Sequence, residues 1–346
     1  MRLKAGSTLR NLRFAVAAAA LCVAAPLAAQ TTVLRLSNWL PPSHPIVRDM
    51  IVPWARQVDA ATEGRVKVQV LTTALGSPQS HFDLARDGVS DITYGVHGYT
   101  PGRFALAEMV ELPFLSEKAE PLSVAYWRVF EKHLAKAQEH AGTKVLSVFT
   151  QGPGQIFNTR RPIRTIGDFE GLKVRIPNVS TNELAKALKM VPLQAPSSKS
   201  YELLSSGVAD GIMFSKDSVP FFKLEKVLKY ATLAPTGFYN ASFFLVMNES
   251  AWNRLSERDR KAIMGVSGEA FARLAGRAWD AADAGALDQM RAAGMNVDPI
   301  APSLIEAIRQ RLAPLEVAWL DKVRSGPVDA RVALDALRAE IVNYGK

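Results

Sequence analysis

The sequence predicts an α/β protein of two domains. Predicted strands and helices alternate along the chain, which is typical of parallel sheets covered by helices. The chain has 346 residues, enough for two domains at roughly 150 residues each. One helical pattern is longer than a single domain is wide, and no Gly/Ser-rich linker interrupts the chain. These observations favour two α/β units joined by strands.

The first part of the chain alternates strand and helix. Apolar and polar residues alternate strictly over 65–70, which predicts a strand, and Gly64 ends the helical spacing before it. Prolines 41 and 42 follow the first strand, where no helix could continue. The predicted elements are strand 33–37, helix 45–62, strand 65–70, helix 78–87 and strand 91–94. This order implies a parallel sheet with helices on its faces.

The same register returns later in the chain. The segment 242–247 is apolar without interruption, which predicts a strand in the interior of a sheet. The predicted elements are strand 144–149, strand 173–176, helix 181–188, helix 200–206, strand 211–214 and strand 242–247.

A long helical pattern follows. Ser256 and Asp259 form an acidic version of a capping box, and helical periodicity continues to Ala293. About 37 residues at about 1.5 Å each would span about 55 Å. Either the helix breaks near Gly276 or Gly285, or it crosses both domains.

The N-terminus predicts a secretory signal peptide. Four basic residues precede an apolar run over 14–29 that ends in small residues, with cleavage near Ala29. Removing residues 1–29 leaves 317 residues and lowers the formal charge from +9 to +5. The predicted destination is the periplasm of a Gram-negative cell. The only cysteine, Cys22, lies in the leader, so the mature chain has no thiol for catalysis, disulfides or metal binding.

Enzymatic and nucleic-acid-binding motifs are absent from the sequence. The five histidines show no metal-ligand spacing, and we expect no metal or cofactor. The segment 265–269 lacks the second glycine of a nucleophile elbow. Basic residues are interspersed with acidic ones, so nucleic-acid binding is not expected.

Arg175 is the candidate ligand-binding residue. It stands near the C-terminal end of the strand 173–176, which Pro177 ends. Ligands of α/β folds bind at that end of the strands, and a guanidinium matches a carboxylate bidentately. The alternative is an ion pair between Arg175 and a nearby carboxylate of the chain.

Three segments of the sequence resemble one known family. They are 161–177, with Asp168-Phe169-Glu170-Gly171-Leu172-Lys173-Val174-Arg175-Ile176-Pro177, then 201–211, and Leu75-Gly76 with 87–91. On these motifs the chain resembles the solute-binding subunit of TRAP (tripartite ATP-independent periplasmic) transporters, DctP type. The arginine that binds the ligand carboxylate in this family falls on Arg175.

The resemblance implies the fold and the partners. It implies a two-domain periplasmic binding protein (type II-like) with hinge strands and a long helix crossing both domains. Domain I would contain 30–152 and 241–280, and domain II would contain 153–240 and 281–346. It also implies a monomer that delivers a small organic acid to small and large membrane subunits of the DctQ and DctM type.

The resemblance places further residues at the ligand. Trp39, Ser77, His97 and Tyr99 follow strands of domain I. Trp39 could instead belong to the core, and His97 could be a hydrogen-bonded wall residue. His97 would also be the only candidate base if the protein were an enzyme on this fold.

Domain II and the hinge contribute three more candidates. Gln155 falls where some members have a second arginine, and Phe214 falls where many have a polar side chain. Phe214 could instead be a core residue. Asn240 could reach the ligand from the hinge or cap a turn.

The apolar character of Trp39, Val96 and Phe214 predicts the ligand class. A buried ligand hydroxyl without a partner costs about 1–3 kcal/mol, so a polyhydroxylated or dianionic ligand is disfavoured. We expect a small monocarboxylate with an apolar or aromatic body. The alternatives are a C4-dicarboxylate binder, a sensor module read by a membrane receptor, and an enzyme on the same fold.

Overall fold

The computed structural model describes residues 31–297 and 299–345. The predicted signal peptide, residues 1–29, lies outside the described residues. Within them, each helix is either too short or too polar to cross a bilayer.

The first sheet has five strands in the order β2-β1-β3-β10-β4. Its strands are β1 (Thr32–Ser37), β2 (Val66–Val70), β3 (Ile92–Val96), β4 (Thr143–Thr150) and β10 (Ser242–Asn248). β1 pairs in parallel with β2 and β3, whereas β10 is antiparallel to both β3 and β4. All seven residues of β10 are buried, in agreement with its unbroken apolar sequence.

The second sheet also has five strands, in the order β7-β6-β8-β5-β9. Its strands are β5 (Gln155–Asn158), β6 (Lys173–Ile176), β7 (Val191–Gln194), β8 (Gly211–Phe214) and β9 (Tyr230–Thr232). β6 is parallel to β7 and β8, and β5 is antiparallel to β8 and β9. The C-terminal ends of β6, β7 and β8 therefore share one edge.

Helices cover both sheets. The α-helices of the described residues are Val52–Ala61, His81–Arg86, Ala119–Val129, Val179–Ala187, Ser200–Ser205, Ser218–Phe221, Glu249–Asn253, Glu257–Gly265, Gly268–Ala284, Ala286–Ala292, Pro302–Leu312, Pro314–Val323 and Ala330–Asn343. The first of these is preceded by a π-helical segment, Ile46–Ile51.

Two segments cross between the sheets side by side. The Gly154 N–H donates to Tyr239 O at 2.8 Å, and the Phe238 N–H donates to Gly154 O at 2.8 Å. A Cβ on Gly154 would lie 2.1 Å from Cε1 of Tyr239, so only glycine allows this approach. The paired segments 151–154 and 233–241 join the two domains, as the family resemblance implies for hinge strands.

The long helical pattern is divided into three helices. Ser256 caps the first, because its Oγ accepts the Asp259 N–H. Phe271 and Trp279 of Gly268–Ala284 belong to the core of the first sheet, whereas Met290 of Ala286–Ala292 packs in a core of the second. The helical path thus crosses from one domain to the other, with a break at Gly285.

The C-terminal helices differ from the predicted division of domains. The sequence prediction assigned residues 281–346 to domain II. Leu304 and Ile308 do pack on the second sheet. In contrast, Trp319, Leu334 and Leu337 are buried in the core of the first sheet, because the apolar faces of the last two helices cover that core.

Candidate functional site

Arg175 lies on β6 at the edge where the parallel strands of the second sheet end. Its side chain is fully buried, with 0% exposed. Its Nε donates to Ala195 O at 2.8 Å and its Nη1 donates to Met213 O at 3.4 Å. Ala195 directly follows β7 and Met213 lies on β8, so the two neighbouring strands hold the guanidinium. The Nη2 atom is buried and has no partner.

The Arg175 cation has no counter-ion in the described part of the chain. Among the described residues, no carboxylate lies within ion-pair distance of it, and its charge is stabilised by the Phe214 ring, 4.8 Å from Cζ to the centroid. Burial lowers the pKa of Arg175, and the nearby Tyr99 and Tyr239 offset part of that effect. A buried cation with a free donor is arranged to receive an anion.

A narrow cavity of about 30 Å³ lies between the two sheets and includes Arg175. The first domain contributes residues on or after β1, β3, β4 and β10 and one residue of the helix Gly268–Ala284, and the second contributes residues on or after β6, β7 and β8. The lining residues are Trp39, Leu40, His44, Ile46, Val96, Tyr99, Gln151, Ala241, Phe243 and Trp279 from the first domain and the crossing segments, with Arg175, Pro177, Ser197, Phe214, Ser218 and Phe222 from the second.

Seven of the sixteen lining residues carry an aromatic ring. Phe214 stacks on Phe222 with centroids 5.5 Å apart and an interplanar angle of 15°. Trp39 packs edge-on against Tyr99, with the ring centroids 5.9 Å apart. These surfaces favour a flat or apolar ligand body.

The unsatisfied polar atoms of the wall are donors. Trp39 Nε1, Gln151 Nε2, Arg175 Nη2 and Trp279 Nε1 are buried without a hydrogen-bond partner. Indole, guanidinium and amide nitrogens donate and do not accept. Their missing partners are therefore acceptors, such as the oxygens of a carboxylate.

His44 is neutral and adds another donor. Its Nδ1 accepts the Ile46 N–H at 3.1 Å, which assigns the proton to Nε2. Burial, and then the charge of Arg48, lowers the pKa of His44 to about 3. Of the described residues that line the cavity, Arg175 is therefore the only charged one.

Four of the predicted site residues meet in this cavity: Arg175, Phe214, Trp39 and Tyr99. The Tyr99 hydroxyl accepts the Ser197 N–H at 3.0 Å, which joins the two domains across the cavity.

The other four predicted residues lie outside the lining. The Gln155 amide is satisfied by Ala234, with Nε2 donating to its carbonyl and Oε1 accepting its N–H, both at 2.9 Å. His97 Nε2 lies 2.8 Å from His140 Nε2 in an aromatic core, and the exposed Ser77 accepts from His81 through its carbonyl. Asn240 is buried with a free Nδ2, next to the lining residue Ala241.

Sequence reasoning missed Gln151, His44, Trp279 and Phe243. Gln151 follows the end of a predicted strand, the same signal that selected Trp39. Trp279 lies on an apolar helix face and carries no such signal. In the described part of the chain, no three His, Cys, Asp or Glu side chains come together in a way that could hold a metal ion.

Comparison with known proteins identifies the family. Residues 36–320 match the model of the bacterial extracellular solute-binding proteins, family 7 (DctP). The chain belongs to this family. The match confirms the resemblance to TRAP solute-binding subunits that the motifs around Arg175 indicated.

Individual relatives agree with this assignment. The chain is 35% identical over 338 residues to the outer membrane transporter protein TsaT of Comamonas testosteroni, covering 95% of this chain and 98% of the relative. A TRAP periplasmic solute-binding protein of Bordetella bronchiseptica, solved with bound (R)- and (S)-mandelate, superposes with a TM-score of 0.87 at 41% identity, covering 90% of this chain and 99% of the other. A TRAP solute-binding protein of Rhodoferax ferrireducens, solved with copurified benzoate, superposes with a TM-score of 0.85 at 29% identity, covering 90% of this chain and 98% of the other. These solved relatives are solute-binding proteins, and the two-domain fold is confirmed.

Proposed function

We propose that this protein captures a small monocarboxylate with an aromatic or apolar body in the cavity between its domains. Arg175 binds the carboxylate, and closure of the domains encloses the ligand. The protein then delivers it in the periplasm to small and large TRAP membrane subunits. The observation that carries this proposal is the buried Arg175 guanidinium, which among the described residues has a free Nη2 and no counter-ion.

The charge of the cavity supports a ligand with one carboxylate. Arg175 is the only charged residue among the described ones that line the cavity, and His44 is neutral. A second carboxylate would be buried without a compensating cation, which costs several kcal/mol. The dicarboxylate alternative is therefore disfavoured.

The wall and the relatives support an aromatic body. Phe214, Phe222, Trp39 and Phe243 give the ligand ring surfaces to pack against. The relatives from Bordetella and Rhodoferax hold mandelate and benzoate. A marine metagenome relative, 29% identical with a TM-score of 0.86 and covering 92% of this chain and all of the other, was solved with 3-hydroxybenzoate.

A thermal-shift panel tests the proposal. Benzoate, mandelate, phenylacetate, succinate and malate are added to the purified protein, to Arg175→Ala, and to Arg160→Ala. Arg160 is a matched control because it is an exposed arginine of the same domain, paired only loosely with Asp210 at 3.6 Å. A ligand at about 100 times its Kd adds about 2.7 kcal/mol to the free energy of unfolding.

We expect aromatic monocarboxylates to raise the melting temperature of the wild type and of Arg160→Ala but not of Arg175→Ala. Stabilisation by succinate or malate alone would contradict the ligand class. An equal shift in Arg175→Ala would contradict the role of Arg175. Recovery of the unchanged acid by mass spectrometry after incubation separates a binder from an enzyme.

Delivery is tested by uptake into proteoliposomes that contain the membrane subunits. We expect uptake of labelled ligand with the wild type and none with Arg175→Ala. Binding without any uptake would favour a sensor module.

A further inference from the structure

We propose that the cavity has a second polar end, formed by the indole N–H of Trp279 and the Nε2–H of His44. This end selects acids whose body carries a neutral oxygen acceptor, such as hydroxy-, methoxy- or oxo-substituted aromatic acids. The inference rests on the proposed function, because it concerns the same cavity.

Trp279 differs from two other buried tryptophans in its hydrogen bonding. Trp54 Nε1 donates to Ser267 Oγ at 3.1 Å, and Trp319 Nε1 donates to Ala105 O at 2.9 Å. Trp279 is 98% buried and lines the cavity, yet its Nε1 has no partner. A buried donor without an acceptor costs free energy, and an oxygen of the ligand would remove that cost.

The His44 ring packs edge-on against the Trp279 ring. The two ring centroids are 6.2 Å apart at an interplanar angle of 89°. The Ile46 N–H occupies Nδ1 of His44, so the remaining nitrogen, Nε2, donates. Burial keeps His44 uncharged at neutral pH. Two neutral donors match a neutral oxygen acceptor, whereas a second carboxylate would find no cation there.

Aromatic rings lie on the path between this end and Arg175. Arg175 Cζ is 4.8 Å from the Phe214 centroid, and Phe214 stacks on Phe222 at 5.5 Å. The Phe222 ring centroid lies 6.0 Å from that of His44. A ligand whose carboxylate meets Arg175 and whose ring follows this wall can direct a substituent oxygen towards His44 and Trp279.

Titration calorimetry with matched ligands tests the inference. The Kd of benzoate is compared with those of 2-, 3- and 4-hydroxybenzoate and 3- and 4-methoxybenzoate, on the wild type, Trp279→Phe and Trp319→Phe. Trp319→Phe is the matched control, because it also shortens a buried tryptophan but lies outside the cavity lining. We expect at least one oxygenated acid to bind the wild type about tenfold more tightly than benzoate, and Trp319→Phe to keep that ratio.

In Trp279→Phe we expect the preference for the oxygenated acid over benzoate, expressed as the ratio of their Kd values, to fall to about twofold or less. The affinity for benzoate should change less than the affinity for the oxygenated acid. The inference is overturned if no oxygenated acid is favoured by the wild type, or if Trp279→Phe weakens benzoate and the oxygenated acids equally. The comparison of benzoate with the oxygenated acids on the wild type needs no variant, so it tests the inference even if Trp279→Phe does not fold. Failure of the proposed function has a different signature, because there Arg175→Ala would retain binding of all the acids.

Discussion

Replacing Glu111 with glutamine should stabilise the protein above pH 7 and change its stability little near pH 4.5. Glu111 is buried where the two domains meet. Its Oε1 accepts from the Ser242 N–H at 3.1 Å and from Ser242 Oγ at 2.8 Å, and its Oε2 accepts from Ser180 Oγ at 2.9 Å. Burial raises the pKa of Glu111 from 4.5 to about 7, and these hydrogen bonds offset only part of that effect.

The magnitude follows from this pKa. The folded state holds the proton more tightly than the unfolded state, so the stability that Glu111 contributes is complete below pH 4.5 and is lost as the pH rises through about 7. At about 1.36 kcal/mol for each pH unit, the loss is about 3 kcal/mol. Glutamine resembles the protonated acid, because its Oε1 can accept from Ser242 while its Nε2 donates to Ser180 Oγ. The Glu111→Gln protein avoids that loss.

Urea unfolding followed by tryptophan fluorescence, at several pH values from about 4.5 to about 8, measures the effect. The control is Glu183→Gln, which neutralises an exposed carboxylate on the helix Val179–Ala187, the helix that carries Ser180. We expect the free energy of unfolding of Glu111→Gln, relative to the wild type, to rise by about 3 kcal/mol across this range. A difference that stays constant with pH, or that falls, would refute the reasoning.

Two further predictions concern His140 and Gly98. Burial lowers the pKa of His140 from 6.5 to about 3, so its stabilising contribution is present above pH 6.5 and is lost as the pH falls. Glutamine at this position does not titrate and can still form a hydrogen bond with His97. Between pH 6.5 and about 5, the free energy of unfolding of His140→Gln, measured by urea unfolding, should therefore fall by about 2 kcal/mol less than that of the wild type. An equal loss in both proteins would contradict the assignment of that acid sensitivity to His140. A Cβ on Gly98 would lie 2.1 Å from Cβ of Asn178 in the other domain. Gly98→Ala should therefore oppose closure of the domains and raise the Kd of the ligand about tenfold or more, measured by titration calorimetry. Gly265→Ala, with no atom near its Cβ, should bind as the wild type does, and unchanged affinity in Gly98→Ala would show that this contact does not form part of closure.

Much of the fold could be predicted because strand periodicity is local. The strands over 173–176 and 211–214 were predicted at their observed bounds, and β10 was predicted to be interior from its apolar run. The strands β5, β7 and β9 were not predicted; β7, for example, contains Pro192, and a proline within a run argues against a strand. The placement of the last two helices on the first sheet was also missed, because a helical apolar stripe does not specify which core it covers.

The site could be predicted where it depends on strand ends. Arg175, Phe214 and Trp39 lie at or just beyond the C-terminal ends of strands, and this is where α/β folds bind ligands. Gln155 also lies at a strand end, but it is the first residue of an antiparallel strand, and its amide is used by Ala234. The rule therefore applies to the parallel strands and does not extend to β5.

The helix Gly268–Ala284 explains why Trp279 could not be found from the sequence. Phe271 and Trp279 share its apolar face, and spacing alone makes both of them core residues. Phe271 packs on Phe149 at 5.3 Å within the first core, whereas Trp279, two turns later, meets His44 at the cavity. One turn further on, Asp283 accepts the Asp217 N–H of the second domain at 2.9 Å. Within about three turns, this one helix face therefore contacts the first core, then the cavity, and then the second domain. Only the position of the sheet edge decides that the indole N–H of Trp279 remains free for a ligand.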